Sequence, residues 1–256
     1  MSQSWLILSG KGGVGKTMLT ASLGTALARR NLKCCCVDAD IGLRDLDLLL
    51  GMENSIVFDM LDVVRKDCKL KVALLKHHEM ENLSLLPASQ NGSSKDLDAE
   101  TFEKIIRKLK KKAGYVLTDA PAGVERGLKN LLPASDYSIL VTTPDDVSMR
   151  DAERVLALLD EKQKARPMLV VNKVNERLVA SGDMYSPQVV ANTLDVPLLG
   201  YIPDDTAVMR ALSRHENLMD TDCAAAQAVE RICRRFLGEY VPLPEITRKR
   251  RWFFKK

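Results

Sequence analysis

A phosphate-binding loop near the N-terminus constrains the fold more than any other feature of this chain of 256 residues. The apolar run Trp5-Leu-Ile-Leu-Ser9 leads into Gly10-Lys-Gly-Gly-Val-Gly-Lys-Thr17, and a helical pattern follows. This order of strand, loop and helix fits the P-loop template G-x-x-x-x-G-K-[S/T]. The glycines allow a tight turn whose N–H groups face phosphate oxygens, and the helix adds its positive N-terminal end.

Individual residues of this loop have separate predicted roles. The Lys16 ammonium can reach the β- and γ-phosphates of a nucleotide, and the Thr17 hydroxyl can be a ligand of Mg²⁺. A plain glycine-rich turn is the competing interpretation, but the complete motif with both flanks favours nucleotide binding. The predicted phosphate cradle comprises Gly10, Lys11, Gly12, Gly13, Val14, Gly15, Lys16, Thr17 and Met18.

Strand and helix patterns alternate along the rest of the chain. Several predicted strands are continuous apolar runs, as is typical of strands that are buried on both faces. The alternation predicts an α/β fold with a doubly wound, mostly parallel sheet, whose ligands bind at the carboxyl ends of the strands. Strands are predicted at 5–9, 34–38, 83–86, 115–118, 138–142, 167–171 and 198–201. Helices are predicted at 17–30, 98–112, 148–163, 187–194 and 222–237.

Composition narrows the class of protein. Residues are 46% hydrophobic and 28% charged, which is ordinary for a globular protein. No apolar run approaches the roughly 18 residues that a membrane span needs, and the first strand leaves no room for a signal peptide, so we expect a cytoplasmic protein. None of the six cysteines forms a C-x-x-C pair, and we expect buried free thiols instead of a metal or redox site.

Three aspartates lie at the ends of predicted strands that would end near the P-loop. Asp38 is the last residue of the second strand, Asp40 comes just after it, and Asp119 comes directly after the fourth. A carboxylate near Thr17 can hold Mg²⁺ directly or through water, and a second one can position an attacking water. Each aspartate taken alone could equally be a helix cap or turn residue. Two such strand ends beside a P-loop favour a nucleotide-hydrolysing site.

The segment Val170-Val-Asn-Lys-Val-Asn175 is a candidate for base recognition. Asn172 could pair with the amino group and a ring nitrogen of adenine, because an amide offers both a donor and an acceptor. Position 175 is Asn, whereas an N-K-x-D motif that selects guanine carries Asp there. A role for Asn172 as a simple turn residue at the strand end explains the sequence equally well.

The C-terminal end accounts for the net positive charge of the chain. The formal net charge is +4, and six of the basic residues lie in 248–256 without an acidic one, which leaves −2 for the remainder. Basic side chains are attracted to anionic head groups, and aromatic rings enter the membrane interface. A basic tail without a lipid function and binding to nucleic acid are the alternatives. The predicted membrane-binding residues are Ile246, Arg248, Lys249, Arg250, Arg251, Trp252, Phe253, Phe254, Lys255 and Lys256.

The loop Lys11-Gly-Gly-Val-Gly-Lys-Thr17 resembles the deviant Walker A motif of the MinD/ParA family of dimerising ATPases. The resemblance covers residues 3–238, and it implies that Lys11 reaches across a dimer interface to the partner's nucleotide. It implies that Lys11, Lys16 and Asp40 are catalytic, with Asp40 orienting water in a switch I pattern D-x-D-x-G-x-R. Thr17, Asp38 and Asp119 would form the metal side, and Asn172 and Pro203 would contact adenine. Two residues depart from the family pattern, Met18 in place of Thr or Ser and Ala120 in place of Ser.

The tail and the segments Asp40–Asp47, Leu86–Ser89 and Ser181–Met184 resemble the septum-site-determining MinD branch of the family. This resemblance implies an ATPase domain at 1–238 and a linker with a membrane-targeting tail at 239–256. It also implies ATP/ADP and Mg²⁺ as cofactors, an ATP-dependent homodimer, and a peripheral location on the inner face of the cell membrane. A MinC-type division inhibitor is the expected partner, and a MinE-type protein is one candidate activator. A ParA-like partition ATPase that binds nucleic acid is the alternative.

Overall fold

A computed structural model of the protein describes residues 2–124 and 126–246. The predicted membrane-binding residues 248–256 lie outside these ranges, whereas Ile246 lies within them. The strands are β1 (Gln3–Leu8), β2 (Cys34–Asp38), β3 (Leu75–Lys76), β4 (Leu83–Leu86), β5 (Tyr115–Asp119), β6 (Tyr137–Thr142), β7 (Met168–Val174) and β8 (Leu198–Pro203). The α-helices are α1 (Lys16–Arg29), α2 (Leu46–Leu49), α3 (Met60–Arg65), α4 (Leu70–Ala73), α5 (Ala99–Lys110), α6 (Arg126–Leu131), α7 (Asp146–Glu161), α8 (Glu176–Ser181), α9 (Pro187–Leu194), α10 (Thr206–Ser213) and α11 (Ala224–Phe236).

The eight strands of the described residues form one sheet in the order β3-β4-β2-β5-β1-β6-β7-β8. The short strand β3 pairs antiparallel with β4, and the other neighbours are parallel. The order confirms the predicted doubly wound, mostly parallel α/β fold. The P-loop follows the central strand β1, so its position is flanked on both sides by the carboxyl ends of other strands.

Alternating residues of the strands pack into two separate hydrophobic cores, one on each face of the sheet. Ile7 of β1 packs in the core beneath α1 and α11, and Leu6 and Leu8 pack in the core on the opposite face. This is why β1 is apolar at every position from Trp5 to Leu8. Both faces of the central sheet are therefore covered by helices, and the sheet gives the site a rigid support.

All seven predicted strands and all five predicted helices are present, with shifts of up to three residues at their ends. Helix α7 begins at Asp146 instead of 148, because Asp145 is its N-cap and accepts a hydrogen bond from the Ser148 N–H at 2.9 Å. The sequence did not predict β3 or the short helices α2, α3, α4, α6, α8 and α10. Most of them have fewer residues than a periodic pattern needs to become visible.

Four of the six cysteines are the buried free thiols that the sequence predicts, namely Cys34, Cys35, Cys36 and Cys233. Cys68 and Cys223 are also free but only half-buried. Cys34, Cys35 and Cys36 alternate between the two cores along β2, where they act as small apolar side chains. Within the described ranges, no helix is both long enough and apolar enough to cross a membrane.

Candidate nucleotide-binding site

The loop after β1 has the backbone conformation that its glycines predict. Gly13 and Gly15 have φ angles of +75° and +99°, in the left-handed region. A Cβ atom on Gly15 would lie 2.2 Å from Nδ2 of Asn172. Glycine is thus required at position 15 for both its conformation and the close approach of β7.

Glycine is needed at position 10, the first of the motif, for a different reason. A Cβ atom on Gly10 would lie 2.1 Å from the carbonyl oxygen of Asp151 and 2.7 Å from its Cβ atom. Helix α7 therefore packs directly against the start of the loop. At the other side, the Gly123 N–H donates to the Ser9 carbonyl at 2.9 Å, which joins the loop after β5 to the P-loop. These two contacts seat the P-loop between α7 and the carboxyl end of β5.

Strand order brings the predicted metal-binding residues together. Strand β5 lies between β1 and β2, and Asp119 is the register neighbour of both Ile7 and Asp38. The Thr17 hydroxyl donates to Oδ2 of Asp119 at 2.7 Å, and the Lys16 ammonium lies 3.9 Å from Oδ1 of the same carboxylate. The predicted Thr17–Asp119 pair is therefore formed.

Asp119 has a further neighbour that the sequence did not indicate. The Thr20 hydroxyl, one turn into α1, lies 3.0 Å from the Lys16 carbonyl and 3.3 Å from Oδ1 of Asp119. Its position four residues after Lys16, on the same face of the helix, is the only sequence signal that could have found it.

Asp38 holds the segment that follows it. Its carboxylate accepts hydrogen bonds from the N–H groups of Asp40 at 3.0 Å and Leu46 at 3.2 Å, and the residue is 1% exposed. Asp38 thus acts as a turn residue for the switch I segment, residues 38–44. The half-buried Asp40 lines the cleft beside Lys16.

The buried carboxyl groups of this site have too few cationic partners to ionise as readily as free ones. Burial raises the pKa of Asp38 to about 8, and repulsion from Asp119 adds to the effect. Burial also raises the pKa of Asp40, although the charge of Lys16 opposes the shift. The pKa of Asp119 is raised by burial against the opposing effects of Lys16 and Thr17. A bound divalent cation would favour the ionised forms.

These carboxyl groups suit Mg²⁺, with one condition. Among residues 2–124 and 126–246, no three acidic, histidine or cysteine side chains converge on one point. A cation at Thr17 would therefore depend on phosphate oxygens and water for its other ligands, as Mg²⁺ does in phosphate-binding sites. The residues fit a metal that arrives with a nucleotide.

From the other side, β7 supports the P-loop with two side chains. The Asn172 amide donates to the Val14 carbonyl at 2.7 Å, and the Lys173 ammonium donates to the Gly13 carbonyl at 2.8 Å. Lys173 has a φ angle of +57°, and its N–H donates to Oδ1 of Asn172 at 2.8 Å. The sequence analysis did not predict that Lys173 contacts the P-loop. The position of Lys173 directly after Asn172 is the sequence signal that could have indicated this contact.

The predicted adenine contacts have a separate location. Asn172 is 4% exposed and lies behind the loop, and Pro203 is half-buried at the end of β8. Neither residue lines the main cleft. Their contact with adenine stays a prediction.

A cleft of about 420 Å³ opens in front of the P-loop. Apolar side chains from the switch I segment, α2 and α10 complete its wall, and the sequence did not predict them because α2 and α10 were themselves missed. The wall includes the exposed Leu43, which is 64% accessible. The predicted site residues that line this cleft are Lys11, Gly12, Gly13, Val14, Gly15, Lys16, Thr17, Met18 and Asp40, and the further lining residues are Leu43, Asp45, Leu48, Leu49, Ala122, Leu212 and His215.

Lys11 has a different environment from Lys16. Its side chain is exposed, whereas Lys16 is 7% exposed and faces Asp119. Lys11 also borders a second cleft, of about 390 Å³, on the side of the loop that faces Thr143 and Asp145. A cation in this position is available to a molecule that approaches from outside the subunit.

Comparison with known proteins agrees with this geometry. Residues 5–218 match the family described as the CobQ/CobB/MinD/ParA nucleotide-binding domain. The septum site-determining protein MinD of Helicobacter pylori is 41% identical, over 96% of this chain and 95% of that protein. MinD in the MinC:MinD cell division complex of Aquifex aeolicus superimposes with a TM-score of 0.88 at 37% identity, over 95% of this chain and 99% of that one.

The septum site-determining MinD of Pyrococcus horikoshii, solved with Mg-ADP, superimposes with a TM-score of 0.83 at 28% identity, over 92% of this chain and 96% of that one. The likeness to the Helicobacter pylori protein covers more of the chain than the matched domain does. The chain belongs to the MinD family of P-loop ATPases.

Proposed function

We propose that this protein is an ATP-dependent dimerising switch that hydrolyses ATP to ADP and phosphate, attaches to anionic membrane through its C-terminal tail, and recruits a division inhibitor. One observation carries the proposal. A buried lysine, Lys16, serves the P-loop's own cleft, while a second lysine, Lys11, stands exposed at the mouth of the same loop. A monomer needs only the first for phosphate binding.

The nucleotide and its metal have identifiable contacts in this chain. Lys16 would pair with the β- and γ-phosphates, and Thr17 would hold Mg²⁺, with Asp119 and Asp38 on its far side. The Mg²⁺ would supply charge neutralisation for the phosphates and for the carboxylates of the site. The solved Pyrococcus horikoshii relative with Mg-ADP supports this assignment.

Hydrolysis needs a water held in line with the γ-phosphate. Asp40 lies in the cleft with Lys16 and is fixed through its backbone N–H by Asp38. We infer that its carboxylate orients the water, while Lys16 stabilises the charge that develops on the phosphoryl group. The glycine-rich loop and α7 hold these groups in place.

Dimerisation would couple hydrolysis to membrane binding. In the proposed ATP-bound dimer, Lys11 contacts the nucleotide of the partner subunit. Two weak tails then act on one particle, and effective concentration makes their joint attachment much stronger than that of one tail. Separation of the subunits after hydrolysis would release both tails. The protein is then peripheral at the inner face of the cell membrane, with an ATPase domain at 1–238 and a linker and tail at 239–256.

The likeness to MinD in the MinC:MinD complex supports a MinC-type inhibitor as the partner. A MinE-type protein is the proposed activator of hydrolysis. The second candidate function is a ParA-like partition ATPase, which the basic residues of the tail favour because they would also attract nucleic acid. The three aromatic rings in 252–254 favour the membrane instead.

Co-sedimentation with anionic liposomes and with DNA, each with ATP and with ADP, tests the proposal. Full-length protein should bind liposomes tightly only with ATP. A chain that lacks 245–256 should lose liposome binding and keep ATP binding, because the tail holds six positive charges and three aromatic rings. Trp252→Glu should weaken binding strongly, because it removes apolar insertion and adds repulsion, whereas Trp252→Phe is the matched control and should bind nearly normally.

Two outcomes would contradict this function. Equal liposome binding with ADP and ATP would exclude the avidity switch. Binding to DNA without binding to liposomes would place the protein in the partition class.

A further inference from the structure

The chain does not leave the domain where its last helix ends. Helix α11 ends at Phe236, and Arg235 in its last turn contacts the carbonyl of Leu199 at the beginning of β8. This end of the sheet is the amino-terminal end of the parallel strands, opposite to the P-loop. A tail released here would emerge far from the nucleotide.

The residues after α11 are instead attached along β8, which is the edge strand of the sheet. The Arg235 guanidinium donates to three carbonyl oxygens, from Nε to Val241 at 2.7 Å, from Nη1 to Leu199 at 3.0 Å and from Nη2 to Pro242 at 3.0 Å. One planar side chain thus joins the edge strand to the linker, residues 239–246. A planar group with five donors in a fixed arrangement suits several carbonyls at once better than the three donors of an ammonium do.

Gly200 of β8 leaves room for this guanidinium beside the strand. A Cβ atom on Gly200 would lie 3.0 Å from Nη1 of Arg235 and 2.6 Å from Cγ1 of Ile232. Any larger residue at position 200 would compete with the Arg235 guanidinium for the same space. The same glycine therefore allows both the close packing of α11 on β8 and the contacts of Arg235 with the linker.

The linker then passes over β8 toward the first residues of α9. Residues Leu243–Ile246 border a cleft of about 410 Å³ together with Leu198 and Tyr201 of β8 and with Ser186–Gln188 at the start of α9. Ile246 is half-buried and packs against the hydrophobic core of this face. Because Ile246 packs against this core, it is an anchor of the linker.

The first residues of α9 lie at the nucleotide end of the sheet. The Tyr185 hydroxyl, two residues before Pro187, donates to Oδ1 of Asp146 at 3.0 Å. Asp146 is the first residue of α7, which follows the carboxyl end of β6. The cleft that Lys11 borders includes Met184 of the same segment. The linker therefore runs from the far end of β8 toward the segment 184–188, which reaches the end of the sheet that holds the P-loop.

We propose that Arg235 and Ile246 form a clamp that fixes the exit point of the C-terminal tail at the nucleotide end of the domain. Arg235 is a positioning residue and takes no part in binding nucleotide or lipid. The inference rests on the proposed membrane function, because it explains how two tails start close together when the subunits meet at their nucleotide ends. With the clamp closed the domain holds the chain as far as residue 246, and without it only as far as residue 238, which lengthens the tether between domain and tail.

The expected effect follows from tether length. The effective concentration of a second tail falls roughly as the −3/2 power of tether length, so release of the linker should lower it about two- to threefold. Intrinsic affinity of a single tail for lipid should be unchanged, because the tail sequence is the same. The clamp should thus affect ATP-dependent binding and leave the weak ADP-state binding as it is.

The test compares Arg235→Ala with Arg231→Ala in the full-length protein. Arg231 lies one turn earlier in α11 and donates no hydrogen bond to the linker among the described residues, so it controls for the lost charge. The first readout is the δ1-methyl NMR signal of Ile246, which we expect to move to the position of a disordered isoleucine in Arg235→Ala only. The second readout is the association constant with anionic liposomes, with ATP and with ADP.

Arg235→Ala should reduce the ratio of ATP-state to ADP-state binding about two- to threefold, and Arg231→Ala should leave it unchanged. Arg235→Lys keeps the charge without the fork and should give an intermediate Ile246 signal, which separates loss of the clamp from failure to fold. An Ile246 signal that does not move in Arg235→Ala would overturn the clamp. A moved signal with an unchanged ratio would overturn its positioning role. Absence of liposome binding by the unaltered protein would instead contradict the proposed function, while the NMR readout would still test the clamp.

Discussion

At the nucleotide end of the sheet, residues of β5, β7 and α7 contact the P-loop, whereas at the β8 edge one guanidinium and one isoleucine hold the linker. Asp119 alone has contacts with Lys16, Thr17 and Thr20. The linker's attachment rests on Arg235 and on the packing of Ile246. A contact network in which each group has several partners opens as a unit, while a segment with few contacts opens alone at a low free-energy cost. The nucleotide end is therefore expected to be rigid, and the linker to be the first part of the described structure to detach.

The largest effect should come from Lys16→Ala, which removes the central cation of the rigid region. We expect nucleotide affinity to fall about 100-fold or more, because charge-assisted hydrogen bonds are worth roughly 1.5–3 kcal/mol each and the phosphates lose their main partner. Isothermal titration with ATP measures the loss. Lys11→Ala is the matched control and should keep affinity but lose the ATP-dependent dimer in size-exclusion chromatography. Equal affinity loss in both variants would show that the two lysines do not differ as their burial indicates.

Asp40→Ala should separate binding from hydrolysis within the same region. Lys16 and Thr17 remain to hold nucleotide, so the variant should persist as a dimer with ATP. The rate of phosphate release should fall about 100-fold or more. This is the lower end of the rate loss expected when a group that positions or activates a nucleophile is removed. Asp45→Ala removes an exposed carboxylate that lines the same cleft, and it should hydrolyse ATP nearly normally. Normal turnover by Asp40→Ala would exclude its catalytic role.

A pair of glycine substitutions tests how tightly the loop is seated. Gly10→Ala should lower the free energy of unfolding by about 1–3 kcal/mol, because the added methyl group meets the backbone of Asp151 at 2.1 Å. Gly12→Ala should change it by less than about 0.5 kcal/mol, since a Cβ atom there meets nothing within 4 Å. Urea unfolding without nucleotide measures both. Equal free energies of unfolding for the two variants would mean that α7 moves away from the added methyl group at little cost. The nucleotide end would then be no more rigid than the linker, contrary to the comparison above.

The effect of Arg235→Ala on global stability should be smaller than that of Gly10→Ala. Its hydrogen bonds lie at the edge of the sheet and hold a segment outside the two cores. The same urea experiment, extended to this variant, would place the two regions on one scale. A larger loss for Arg235→Ala would reverse the comparison.

Local pattern was sufficient for the parts of the fold that have strong periodicity or a motif. The buried strands β2 and β4 were predicted to the residue, and so was α9, which begins with Pro187 after Ser186. The P-loop fixed the positions of Lys16 and Thr17, because its glycines leave the backbone few alternatives. Asp119 could be paired with Thr17 in advance, since carboxyl ends of parallel strands meet at one edge.

Tertiary structure alone decided the features that join residues far apart in the chain. Asn172 and Lys173 support the P-loop from β7, although the sequence offered only a turn or an adenine contact for Asn172. Ile246 was grouped with the tail by its apolar character, yet it packs against the core, because Arg235 directs the linker along β8. Sequence pattern reports which side chains avoid water, and it does not report which surface buries them. That choice depends on strand order and on close approaches between distant backbones, such as those at Gly10, Gly15 and Gly200.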